Sequence, residues 1–144
     1  MAVKPIPEGY HTVTPFVSVY GAARVLDFLR VALGATERYR LNQPDGNVMH
    51  AEVQIGDSIV MIGETMEGDS PMPASLYLYV PDPDATYRAA LVAGGESIME
   101  PEDQFWGDRL AGVKDPTGNK WWFAVHIEDV PEEEIARRAA QLDR

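Results

Sequence analysis

A chain of 144 residues, 45% of them hydrophobic, has room for one domain and enough apolar side chain to fill its core. Twelve Lys and Arg stand against 23 Asp and Glu, a formal net charge of −11. That balance argues against a nucleic-acid partner, whose phosphates need a basic patch, and leaves solubility as the role of the acidity. Cysteine is absent, which removes disulfides and thiolate chemistry. No apolar run approaches the roughly 20 residues of a membrane span, and residues 1–10 contain no apolar core of a secretory signal. The expectation is a cytoplasmic protein with no membrane partner.

Residues 1–10 hold two prolines and a glycine and read as an extended arm. Residues 12–19 alternate, with Val13, Pro15, Val17 and Val19 on one side and Thr12, Thr14, Phe16 and Ser18 on the other, which predicts a two-faced strand. A helix over about 21–32 follows, with Val25, Leu26, Phe28, Leu29 and Leu33 as its apolar stripe and Gly34 as its stop. A strand near 35–41 meets the turn signal Pro44-Asp45-Gly46. From Val48 to Ile55 apolar residues alternate with His50, Glu52 and Gln54, and Gly56-Asp57-Ser58 turns the chain into Ile59–Ile62. Residues 64–74, rich in Gly, Pro and acid, read as a linker.

Ser75-Leu76-Tyr77-Leu78-Tyr79-Val80 is again a two-faced strand. Asp82 or Asp84 caps a second helix over about 83–93. Residues 96–100 predict a short strand and 101–108 a loop holding Phe105 and Trp106. Residues 109–114 and 120–126 predict a hairpin across Asp115-Pro116-Thr117-Gly118-Asn119. Pro131 and three glutamates open a last helix, about 131–142.

The order of elements repeats. Fifteen positions separate Val19 from Gly34, and fifteen separate Val80 from Gly95, each interval holding strand end, helix and glycine stop. The repeat predicts two equivalent modules, about 10–64 and 75–127, whose curled sheets enclose one cavity.

The segments Thr14-Pro15-Phe16, Gly21-Ala22-Ala23, Asp27-Phe28-Leu29 to Gly34-Ala35, His50-Ala51-Glu52-Val53, Trp106-Gly107-Asp108-Arg109 and Asp115-Pro116-Thr117-Gly118-Asn119-Lys120-Trp121 occur in order across roughly residues 9–135. In these the chain resembles the glyoxalase/bleomycin-resistance/extradiol-dioxygenase superfamily, the vicinal oxygen chelate proteins. The resemblance implies an α+β fold of two βαβββ modules forming curled mixed sheets around a cavity, followed by a C-terminal helix, usually as a homodimer. It implies a lyase, an isomerase, a dioxygenase or a drug-binding resistance protein, and fold alone does not choose among them.

Metal-using members of that superfamily hold the ion with one inward His or Glu on each of four strands. Offsets from the helix and turn signatures place those positions at Thr14, near Met61, at Ser75 and at Trp122. Hydroxyl, thioether and indole groups are poor donors for a cation that wants imidazole nitrogen or carboxylate oxygen. The expectation is therefore a binder of small aromatic or planar molecules, without a metal cofactor. The pocket would be lined by Thr14, Phe16, His50, Glu52, Met61, Ser75, Tyr77, Trp106, Arg109 and Trp122, with Ser18 and Tyr79 nearby.

Alternatives stay open at several of these residues. His50 and Glu52 could bind a divalent metal or move protons for a lyase, isomerase or dioxygenase, or be hydrogen-bonded surface groups. Arg109 could clamp a ligand carboxylate or phosphate, or pair with Asp108 or Asp115. His126 could anchor the C-terminal helix, and His11 belongs to a solvated arm. A third possibility is an interaction module whose cavity is filled by its own side chains.

Overall fold

The computed structural model describes residues 2–142; Met1 and residues 143–144, which the sequence reading assigns to the same domain, lie outside the described residues. The elements run β1 (Phe16–Val19), α1 (Ala22–Leu33), β2 (Thr36–Asn42), β3 (Val48–Ile55), β4 (Ser58–Glu64), β5 (Ser75–Tyr79), α2 (Pro83–Val92), β6 (Glu96–Asp103), β7 (Asp108–Lys114), β8 (Lys120–His126) and α3 (Glu132–Ala140). They make two four-stranded mixed sheets, ordered β1-β4-β3-β2 and β5-β8-β7-β6. In each, the first strand lies parallel to the last and the remaining pairs are antiparallel. The repeat is thus two βαβββ modules, and corresponding residues take corresponding places: Phe16 faces Met61 across β1 and β4, and Tyr77 faces Trp122 across β5 and β8.

One side of each sheet is buried by its own helix. α1 covers β3 and β4, α2 covers β6, β7 and β8, and the helices pack against each other. Val17, Val19, Ala51, Val53 and Ile62 meet Val25, Phe28 and Leu29 in a core that continues through Tyr87, Val113, Trp121 and Phe123, with the Phe28 and Trp121 rings 6.4 Å apart. The two sheets are not closed on one another. The layer between their buried sides is the α1–α2 pair, so the cavity predicted between two curled sheets is not enclosed by one chain, and each sheet keeps a second face away from the core.

The helix ends follow local chemistry. At Gly34 (φ 62°) the chain enters the left-handed region, and the N–H groups of Gly34 and Ala35 return to the carbonyls of Arg30 and Leu29, closing α1 as a glycine stop does. Its other end has no side-chain cap of its own; instead the Glu64 carboxylate accepts the N–H groups of Gly21 and Ala22 at 2.9–3.1 Å. α2 is capped locally, since Asp82, not Asp84, accepts the Ala85 N–H. α3 begins at Glu132 with Pro131 as its cap residue, one position later than predicted. Among the described residues no helix is long and apolar enough to cross a membrane.

Three expectations shift. The strand predicted over 12–19 shortens to Phe16–Val19, and Val13 is 81% exposed; Pro15 has no N–H for a ladder, and the Thr14 hydroxyl bonds back to the His11 carbonyl. The arm is not simply extended. It turns at Pro7–Tyr10, lies near Arg38 and Ile59 at Gly9, and is pinned where the His11 ring meets the Asp57 carbonyl at 3.0 Å. Finally, β6 runs through Pro101 to Asp103 where a loop was predicted. Proline is accommodated because β6 is an edge strand and its pairing slips between Met99 and Glu102.

Candidate functional site

Apart from Arg109, the predicted lining residues fall into two groups, one at the open face of each sheet. On the first, strand alternation puts Phe16, Met61, Glu52 and His50 on the side away from α1. Across from His50 stands Gly63, and a Cβ there would lie 2.9 Å from the Phe16 ring. The missing side chain lets Phe16 lie over β4 and stack on His50, centroids 5.8 Å apart at 22°. Tyr39 of β2 approaches the same imidazole at 6.5 Å. His50 Nε2 and Glu52 Oε2 are 2.9 Å apart. Next to this pair the N-terminal arm bridges a cavity of about 400 Å³, lined by residues of 5–12 together with Thr14, Glu52 and Met61. Phe16 remains 58% exposed.

The second sheet repeats the aromatic-over-glycine device. Gly112 faces Trp122, and a Cβ there would come within 2.5 Å of the indole, so the ring lies across the glycine while its Nε1–H donates to Ser75 Oγ at 3.0 Å. Beyond it is a carboxylate hub. Asp108, 2% exposed, accepts at Oδ2 from Tyr77 (2.6 Å), Tyr79 (3.0 Å) and Trp106 Nε1 (3.2 Å). Its Oδ1 lies 2.9 Å from His126 Nδ1, and the other ring nitrogen of His126 lies 2.7 Å from Asp129. Gly107 shapes the approach: at φ 104° it lies where a Cβ would be 2.1 Å from the Glu128 carbonyl, and its own carbonyl receives the N–H groups of Ile127 and Glu128.

The charges in this hub follow from its contacts. Burial alone would raise the Asp108 carboxyl, but the hydrogen bonds from Tyr77, His126, Tyr79 and Trp106 outweigh it and hold the group below the usual carboxylate range. Burial, then the bond to Asp108, pushes the Tyr77 hydroxyl up to about 12. Asp108, then Asp129, raises His126 above the ordinary imidazole value.

Arg109 leaves the predicted site. It points to the helix side of β7, where its guanidinium grips Asp84 of α2 at 2.8 Å through two nitrogens and Asp103 of β6 at 2.9 Å. Its partners are neither Asp108 nor Asp115, and its donors are committed to holding α2 on the sheet. Asp115 is likewise occupied: buried, it accepts from the backbone N–H groups of Thr117 and Asn119 and from the side chains of Thr117, Asn119 and Trp121. The side-chain Oδ1 of Asn119 then accepts the Ala74 N–H. The hub residues Asp108 and Asp129 were missed by sequence reasoning. The available signal was the alternation Trp122, Ala124, His126 along β8, continued across the hairpin to Asp108.

The donor set speaks to the metal question. Thr14 and Met61 border the first cavity, and Ser75 and Trp122 are hydrogen-bonded to each other; none offers imidazole or carboxylate. Among the described residues, no three His, Asp or Glu side chains are grouped as ligands for an ion. The side chains at the four positions that the sequence reading assigns to the superfamily's ion do not fit one.

Solved structures share this fold. TioX from Micromonospora sp. ML1 superposes with a TM-score of 0.70 at 24% identity, covering 81% of this chain and 99% of that one. A glyoxalase/bleomycin resistance protein/dioxygenase family enzyme from Burkholderia phytofirmans PsJN gives 0.64 at 15% identity, covering 79% and 97%. The uncharacterized protein Mb0911c of Mycobacterium bovis is 35% identical over 133 residues, spanning 85% of this chain and 88% of that protein. Residues 11–123 match the model of the Glyoxalase/Bleomycin resistance protein/Dioxygenase superfamily, and with its two βαβββ modules the chain belongs to that superfamily.

Proposed function

We propose that the chain is a small-molecule-binding protein that receives an aromatic or planar ligand against the open sheet faces, without a protein-held metal ion. The observation that carries this reading is the paired device of Phe16 over Gly63 and Trp122 over Gly112. Each presents the face of a ring on a polar-edged surface, the arrangement on which flat organic molecules stack. The donor chemistry at Thr14, Met61, Ser75 and Trp122 supports the metal-free part.

A second copy of the chain completes the site in this reading. Phe16, Tyr39, Leu41, Tyr77 and Tyr79 are all exposed large apolar residues, and they gather on the open faces of the two sheets, where apolar surface marks a site of interaction. A homodimer that sets the first sheet of one copy against the second sheet of the other would bury both and turn two faces into one pocket. The absence of cysteine suits a cytoplasmic setting.

Thermal-shift measurements with planar aromatic compounds test the binding: a true ligand raises the midpoint by an amount that grows with concentration as RT ln(1 + [L]/Kd). Flat midpoints across a varied set would sink the reading. Light scattering that gives a monomer mass at micromolar concentration would remove the composite pocket. The His50–Glu52 pair supplies two possible donors for the rival reading, a metal-dependent lyase, isomerase or dioxygenase. Stoichiometric, chelator-sensitive metal after purification from zinc- and nickel-supplemented medium would favour that rival.

A further inference from the structure

We propose that His50 and Glu52 form a metal-free general base that takes a proton from carbon on a planar ligand lying against the first sheet. The proposal rests on the binding reading above and adds a reaction to it. Glu52 Oε2 and His50 Nε2 are 2.9 Å apart, so the carboxylate fixes the tautomer with the proton on Nε2. The lone pair is then on Nδ1, and Nδ1 has no hydrogen-bond partner among the described residues. The ring cannot turn freely to find one: Phe16 stacks on it from the β1 side and Tyr39 meets it from β2. The Phe16 contact exists because Gly63, directly across from His50, contributes no side chain.

Exposure separates this pair from an ordinary surface ion pair. The side chains of His50 and Glu52 keep only 24% and 13% of their accessibility, although both stand on the sheet face away from the core. Glu52 also lines the cavity of about 400 Å³ beside the N-terminal arm. A base held in one orientation, with a carboxylate behind it and apolar rings around it, is equipped for proton transfer. The hydroxyls in the cavity lining, on Tyr10, Thr12 and Thr14, make no hydrogen bond to the His50 or His11 ring or to the Glu52 carboxylate among the described residues. The Thr14 hydroxyl bonds to the His11 backbone carbonyl and the His11 ring to the Asp57 carbonyl, so none is a nucleophile paired with a base. That composition favours abstraction of a carbon-bound proton over covalent catalysis.

The step balances without a co-reactant. Nδ1 of His50 takes the proton, the C–H electron pair moves into the planar ligand, and the imidazolium, stabilised by Glu52, passes the proton to water or back to the product. A neutral probe of the right shape is nitrobenzisoxazole. Loss of its ring C–H proton forms a nitrile as the N–O bond breaks, and the electrons leave on a coloured phenolate.

The experiment follows phenolate release by the full chain and by variants, with probe binding measured separately by tryptophan quenching. The expected result is saturable turnover well above that of an equal concentration of free imidazole. His50→Ala should lower kcat by about 100-fold or more at saturating probe and recover rate when imidazole is added, while the loss of the Phe16–His50 stack weakens but does not abolish probe binding. Glu52→Gln should lower kcat with KM unchanged, as expected of a positioning residue. Bound probe with a rate no better than free imidazole, or full activity in His50→Ala, overturns the base and leaves the binding reading standing. A probe that neither binds nor turns over, in a protein that also fails the thermal-shift screen, overturns both.

Discussion

The two modules share one architecture and spend their polar groups differently. In the second, buried carboxylates are saturated: Asp115 gathers its turn, Asn119 and Trp121, and Asp108 gathers Tyr77, Tyr79, Trp106 and His126. In the first, the corresponding turn Gly56-Asp57-Ser58 is exposed, with Asp57 receiving only the Ser58 hydroxyl by its side chain. His50 and Glu52 bond to each other and leave donor and acceptor capacity over. The second module thus uses its polar chemistry to fix its shape, and the first keeps chemistry available. Duplication of a fold lets one copy act as the scaffold for the other.

The sharpest way to break that contrast is at the two turns. Asp115→Ala strands the side-chain donors of Asn119 and Trp121, both fully buried, and should cost about 4 kcal/mol. Asp57→Ala, at the equivalent turn of the first module, should stay within about 0.5 kcal/mol. Urea denaturation of both variants measures the difference, and equal losses would refute the division of labour.

Next in size are the two glycines beneath the aromatic rings. Gly112→Ala drives a methyl into the Trp122 indole, which is tethered to Ser75, and should cost about 1–3 kcal/mol. Gly63→Ala meets only the exposed Phe16 ring, which can swing outward, so stability should change by less than about 1 kcal/mol. Its expected signature is functional: the Phe16–His50 stack is lost, and with it affinity for planar probes by thermal shift.

How much of this was legible in the chain depends on how local each feature is. The bounds of β3 came out as read and β5 ends one residue short of its reading, at Tyr79, because alternation and flanking turns lie within a few residues. The glycine stop at Gly34 and the cap at Asp82 are equally local. Arg109 was misplaced because its partners Asp84 and Asp103 come from a helix and an edge strand, 25 and 6 residues away. The Asp108 hub needed the β7–β8 register that puts Asp108 opposite His126. The open sheet faces were hidden for the same reason, since only assembly shows that α1 and α2 fill the space between the sheets. In the candidate site, the residue types could be read in advance, but not the split into two faces.

The helix starts sharpen the comparison at a smaller scale. α2 takes its cap from Asp82 next door, whereas α1 borrows Glu64 from the end of β4. Asp82→Ala should cost about 1 kcal/mol. Glu64→Ala uncovers two backbone N–H groups and loosens β4 from α1, so it should cost about 1–2 kcal/mol. Hydrogen exchange distinguishes the two: Asp82→Ala exposes only the first turn of α2, while Glu64→Ala deprotects the first turn of α1 and the end of β4 together.

The smallest expected effect is in pH, and it belongs to the second module. His126 is raised above its ordinary 6.5 by Asp108 and then Asp129, so its contribution is fully present below the unfolded value and fades as pH rises through the folded one. Asp108 is lowered on balance, its hydrogen bonds overcoming burial, so its contribution is present above the ordinary carboxylate value and fades as pH falls through the folded one. Between the two the hub carries a charged pair, and the denaturation midpoint should pass through a maximum there. His126 is half exposed, which screens the pair and keeps the alkaline decline shallow. His126→Gln should abolish that alkaline decline and leave most of the acid one, because Tyr77, Tyr79 and Trp106 still donate to Asp108. An unchanged alkaline decline in the variant would move its origin away from this hub.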